Sequence, residues 1–151
     1  MSALRILYAA IDQVVPGTLG GSTHVQSVAE GLAALGHEVH VAVGAGHTAE
    51  GPVPIQRRDT TFAALVWHDV ATPMGSPNLR LLRRGRLRAL ATAIRPDVVI
   101  ERYHNFGGEG LLAARAVGAR TVLEVNAPVV DYPGSPKRTL DRLLLLSLIH
   151  I

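Results

Sequence analysis

The chain has 151 residues, about one domain's length. With 48% hydrophobic and 18% charged residues it can bury a core, which excludes a disordered polymer. It has no cysteine, so a disulfide framework, a thiolate zinc site and a cysteine nucleophile are excluded. The net charge of +3 is unevenly spread: positions 76–102 hold seven arginines against Asp97 and Glu101, leaving the rest slightly acidic.

The start, Met1-Ser2-Ala3-Leu4-Arg5, lacks the basic region and long apolar run of a signal peptide. No apolar run approaches the ~20 residues that span a bilayer. A cytoplasmic protein is the expectation.

Leu4 to Ile11 reads as a buried strand, apolar on both faces and bounded by Pro16 and Gly17. The glycine-rich stretch Gly17 to Ser22 follows. Val25, Val28, Ala29, Leu32 and Leu35 then recur at helical spacing over Thr23 to Leu35. Thr23 with Gln26 fits a capping box, and Gly36 stands where a C′ residue belongs. Glu38 to Val43 alternates and is β-branched, predicting a second strand parallel to the first. From Gly44 to Gly75 the pattern is poor; Val53-Pro54-Ile55 and Leu65 to His68 read as short strands between prolines.

Asn78 to Ile94 reads as a helix ended by Arg95-Pro96. Leu79, Leu82, Leu87 and Leu90 would form its apolar face and the arginines its cationic face. Such a helix is either the solvated outer layer of the fold or, through Arg80 to Arg88, a peripheral contact with an anionic membrane. Nucleic acid is not expected, since aromatic content is 4% and no binding motif accompanies the charge. Asp97 to Glu101 is a third strand, Gly107 to Val117 a helix stopping at Gly118, and Thr121 to Val125 the last strand. The alternation predicts an α/β fold, a Rossmann-like doubly wound parallel sheet with helices on both faces. Residues 139–151 begin as an amphipathic helix and become apolar nearly all round. Either this run docks on something beyond Ile151 or the chain is a fragment; the fragment reading is preferred. The expected division is a domain over 1–138 and the start of a truncated helix over 139–151.

In a doubly wound sheet, ligands bind outside the carboxyl ends of the strands where strand order reverses. The first strand delivers Gly17 to Ser22 there, with Asp12 and Gln13 just before it. The third delivers Arg102 to Gly108, and the last Glu124 to Pro128. The opposite strand ends carry ordinary connectors. Gly20 and Gly21, ahead of a helix start, would let a phosphate or sugar approach backbone N–H groups. His24 reads as a solvated first-turn residue. His104 lies in a strand-end loop, a place that carries function more than other loops do. Glu124, inside an apolar strand, needs a partner such as Arg102 or a backbone N–H, or else serves a site. Asn126 caps a turn or faces the crevice.

Sharper alternatives fail on the residues. No Gly-x-Gly-x-x-Gly opens the first turn, and Val43-Gly44-Ala45 lacks the acid that would hold a ribose, which argues against a nicotinamide dinucleotide. There is no Gly-Lys-Ser/Thr for a P-loop, no Gly-x-Ser-x-Gly for a nucleophile elbow, and no paired histidine spacing for a metal.

The run Gly20-Gly21-Ser22-Thr23-His24-Val25, continuing through Leu32 to Gly36-His37-Glu38-Val39-His40-Val41, resembles the opening of glycosyltransferase family 4. Arg95 to Tyr103 and Thr121 to Pro128 agree with it in the right order, and only about Gly44 to Pro77 falls outside. The resemblance implies the amino-terminal, acceptor-side half of a retaining GT-B transferase that uses a nucleotide-sugar and needs no metal cofactor. Its donor-binding carboxyl-terminal domain is absent from this sequence. It implies that Gly20, Gly21 and Asn126 face the donor or transferred hexosyl group, and that His104, Asn105 and Glu124 serve a sugar or lipid-linked acceptor. Many members carry a histidine where this chain has Asn126; an asparagine hydrogen-bonds a sugar hydroxyl but cannot relay a proton near neutral pH. The alternative is a non-catalytic Rossmann-like module that binds a sugar or nucleotide.

Overall fold

The computed structural model describes residues 2–15, 17, 19–44, 47–48, 51–52, 65–70, 82–104 and 107–126. In chain order these form β1 (Arg5–Val14), α1 (Gly20–Ala34), β2 (Glu38–Gly44), β3 (His47–Thr48), β4 (Gly51–Pro52), β5 (Leu65–Asp69), α2 (Arg84–Ile94), β6 (Val98–Arg102), α3 (Glu109–Val117) and β7 (Arg120–Glu124). Five strands make one sheet in the order β5-β2-β1-β6-β7, every neighbouring pair parallel. β3 and β4 pair separately and antiparallel. The order reverses between β1 and β6, so the crevice of a doubly wound sheet lies at their carboxyl ends.

The period of two in β1 splits the core. Leu7, Ala9 and Ile11 point to one face, where they meet Ala42, Val70 and Val99 beneath Leu87, Ala91 and Ile94 of α2 and Ala113 and Ala114 of α3. Tyr8 and Ala10 point to the other, joining Val39, Val41, Val43 and Leu65 beneath Val25, Ala29 and Ala33 of α1. Helices therefore cover both faces, as the alternating pattern predicts. The small side chains let the helices sit close: a Cβ on Gly110 of α3 would lie 3.0 Å from the Ala9 Cβ and 3.0 Å from Glu101 Oε2. Glu101 itself is buried, and its carboxylate accepts the Gly108 amide at 2.5 Å and the Leu111 amide at 2.7 Å. That interior charge is spent on the orphan N–H groups that open α3.

Several boundaries differ from the sequence reading. β1 runs three residues past Ile11, to Val14. Its pairing with β2 jumps from Ala10↔Val43 to Val14↔Gly44, so Ile11, Asp12 and Gln13 leave the ladder at the crevice. Gly44 permits this, since a Cβ there would stand 2.6 Å from the Ile11 carbonyl oxygen. α1 begins at Gly20 rather than Thr23, with Leu19 at the N-cap position and no side-chain cap. The Thr23–Gln26 capping box is not formed. Thr23 Oγ1 turns to the Leu19 carbonyl at 3.4 Å, and Gln26 donates to Glu30 at 2.8 Å. α1 does end at Leu35 with Gly36 at φ 87°, the left-handed C′ position expected of it. α2 starts at Arg84 after a 3₁₀ turn at 82–83. Leu87 is buried as predicted, but Leu82 is 68% exposed. The predicted strand at 53–55, the helix residues 78–81 and the whole run 139–151 lie outside the described residues.

Candidate functional site

Even-numbered positions of β1, β6 and β7 share the face covered by α1, because Tyr8 stands beside Ile100 and Ile100 beside Val122 in register. At the carboxyl ends this parity gathers Asp12, Arg102 and Glu124, with Tyr8 one turn of the pleat below. α1 adds His24, its fifth residue. The result is one polar cluster across three strands and a helix.

Glu124 is its hub. Oε2 accepts the Tyr8 hydroxyl. Oε1 accepts His24 Nε2 at 2.9 Å and Arg102 Nη1 at 3.2 Å, together with the Asn126 side-chain amide. Its backbone carbonyl takes the Tyr103 amide at 2.8 Å, which fixes the loop leaving β6. Arg102 spans two carboxylates, since its Nε also donates to Asp12 Oδ2 at 3.2 Å. The Asp12 side chain is only 3% exposed, and Gln13 Nε2 donates to the same oxygen at 2.5 Å. Gln13 in turn lies against Gly21, where a Cβ would fall 2.2 Å from Gln13 Oε1.

Burial works to raise the Glu124 carboxyl. Donation from Tyr8 and Asn126 and the charges of His24 and Arg102 outweigh it, so the group sits below the usual carboxylate range. Burial, followed by donation to Glu124, pushes the Tyr8 phenol far above its ordinary value. Tyr8 is therefore a fixed donor and Glu124 a fixed anion.

Of the residues singled out from sequence, Gly21, Glu124 and Asn126 belong to one continuous chain of contacts through Gln13, Asp12 and Arg102. Gly20 is exposed, and a Cβ there would meet nothing within 4 Å. His104 stands on the loop after β6 at the same end, its carbonyl accepting the Gly107 amide at 3.0 Å. Asn105 lies outside the described residues. Glu124 pairs with Arg102, as one of its two sequence readings had it. Tyr8 and His24 were missed as site residues. Tyr8 reads as one more apolar position of a buried strand, and only the register across β6 shows what its hydroxyl reaches. Among the described residues no group of three or more histidine or acidic side chains could hold a metal ion.

The glycine nearest the helix start with a strict steric need is Gly17. A Cβ there would lie 2.7 Å from the Val14 carbonyl oxygen and 2.6 Å from Ser22 Oγ. The turn from β1 into α1 closes only without a side chain at that position.

No curated protein matches the chain. Among solved structures, a glycosyltransferase from Rickettsia africae ESF-5 superposes with a TM-score of 0.59 at 18% identity, covering 96% of this chain and 35% of that one. The chain thus spans about a third of that protein's length. The C-terminal domain (residues 83–215) of the PF1911 hydrogenase from Pyrococcus furiosus superposes with a TM-score of 0.53 at 12% identity, covering 81% of this chain and 91% of that domain. At these identities the two share its fold. The model of the glycosyl transferase 4-like domain matches residues 20–149, from the first residue of α1 onward. With a parallel doubly wound sheet and a polar cluster at its switch point, the chain belongs to the glycosyl transferase 4-like family.

Proposed function

We propose that this chain is the acceptor-side half of a GT-B transferase that moves a hexosyl group from a nucleotide-sugar to an acceptor with retention. The donor-binding half lies outside these 151 residues. The observation that carries the reading is the single polar cluster built from the carboxyl ends of β1, β6 and β7 and from His24 near the start of α1. Exposed apolar residues rim it: Leu19 is 75% exposed, with Val14 and Val125 also uncovered. Such a rim favours closure by a second domain.

The N–H groups of Gly20, Gly21 and Ser22 open α1 and have no helical carbonyl to bond. In the reading they face the donor's diphosphate and stabilise charge developing on it, so no metal is assigned that task. The open space at Gly20 supports a close approach there. Asn126 serves the transferred sugar, and His104 and Asn105 the acceptor. Retention follows from the resemblance of the three motifs.

The arginines of α2 form a second element of the proposal. Arg84 and Arg88 line a groove of about 360 Å³ with Leu112, Ala113 and Ala116 of α3, and Arg86 is exposed beside them. Exposed Leu82 and Leu112 add apolar surface. This composition suits peripheral contact with an anionic membrane at the cytoplasmic face, near a lipid-linked acceptor. No helix among the described residues is long and apolar enough to cross a membrane.

The test is nucleotide release by the full-length enzyme that carries this chain. Uridine diphosphate glucose, uridine diphosphate N-acetylglucosamine and guanosine diphosphate mannose would be offered with simple hexosides as acceptors. Release and transfer by the full-length enzyme, with negligible turnover by the 151-residue piece, is the expected result. Binding of these donors with no turnover would instead favour a non-catalytic module.

A further inference from the structure

The bonding of Glu124 decides which group of the cluster faces outward. Glu124 Oε1 takes three donors, His24, Arg102 and Asn126, and Oε2 takes Tyr8. The carboxylate ties the cluster together, and one of the groups it positions is an imidazole. A carboxylate only accepts, so the ring nitrogen facing it, Nε2 at 2.9 Å, carries the proton. The lone pair of the neutral ring is then on Nδ1. Among the described residues Nδ1 has no hydrogen-bond partner, and the His24 side chain is 44% exposed at the crevice.

Resting on the transfer reading above, we propose that His24 Nδ1 accepts the hydrogen bond of the acceptor's reacting hydroxyl, its tautomer held by Glu124. The charged and titratable groups around the ring are Glu124 from β7 and, through it, Tyr8 and Asp12 from β1 and Arg102 from β6. Arg102 is already shared between two carboxylates, leaving no cationic surplus to hold a phosphate. The acceptor presents a neutral alcohol at this point.

The experiment compares nucleotide release by the full-length enzyme in water alone and with methyl glucoside or methyl mannoside, using the donors named above. His24→Phe keeps the ring volume and removes both nitrogens. It is expected to raise the hexoside KM about tenfold, the loss of roughly one hydrogen bond. His24→Gln can donate to Glu124 and accept from the alcohol, and is expected to recover to within about threefold of wild type. An unchanged KM in His24→Phe, or a His24→Gln KM as high as that of His24→Phe, overturns the assignment and leaves the transfer reading standing. No release by wild type from any donor overturns both.

Discussion

Arg102 holds together what its neighbours would drive apart. Asp12 and Glu124 are anions on two strands separated by β6, and the guanidinium between them is 3.2 Å from each. Removing Arg102 deletes the guanidinium that bridges the nearly buried Asp12 carboxylate to Glu124. Arg102→Met is expected to cost about 3–5 kcal/mol, the scale for breaking a buried pair by deleting one partner; urea denaturation would measure it. Glu124 gives a pH signature. Its carboxyl is held below the ordinary 4.5 in the folded chain, so the unfolded chain binds the proton more readily. That contribution is present above 4.5 and is lost as pH falls through the folded value. Glu124→Gln should flatten the acid limb of a stability profile taken by denaturant titration, and a limb unchanged by the substitution would deny the carboxylate this role.

Element boundaries follow from how each end satisfies its backbone. α3 opens on Gly108, whose φ of 119° suits glycine, and on the Glu101 carboxylate. Glu101→Ala would strand two amides in a dry site, for an expected loss of about 2–4 kcal/mol in thermal or urea unfolding. At the other side of the sheet, His40 Nδ1 and His68 Nε2 lie 2.9 Å apart with their rings stacked, and His40 also meets Glu38 at 3.0 Å. Burial, then repulsion from His40, lowers the His68 value from 6.5. The neutral His68 ring therefore contributes stability above 6.5 that is lost as pH falls through its lowered folded value, and His68→Phe should remove that part of the slope. The elements themselves were legible wherever apolar spacing is strict. β1, β2, β6 and α3 stand within three residues of their expected bounds. The start of α1 lies three residues ahead of its expected place, because a helix that opens on two glycines carries none of the side-chain signals of a cap. The site was half legible. Strand ends, glycines and the Glu124–Arg102 pair can be read from one dimension. The Tyr8–Glu124 bond joins residues 116 positions apart and exists only through strand register.

At the scale of the whole molecule, the order β5-β2-β1-β6-β7 sets the tips of β1, β6 and β7 side by side. The chain belongs to the glycosyl transferase 4-like family and covers 35% of a longer glycosyltransferase of the same fold. In the transfer reading proposed above the donor side begins at Gly21, packed against Gln13 and through it against Asp12, Arg102 and Glu124. Gly31 lies farther along the same helix, where a Cβ would meet nothing within 4 Å. Those two glycines make a matched pair. The most direct measurement is nucleotide release by the full-length enzyme carrying Gly21→Val or Gly31→Ala, each checked for folding by circular dichroism. The expected result is a loss of at least about tenfold for Gly21→Val, about 1.4 kcal/mol of transition-state stabilisation or more, with Gly31→Ala near wild type. Folded Gly21→Val enzyme releasing nucleotide at the wild-type rate would contradict a transfer site at these strand tips.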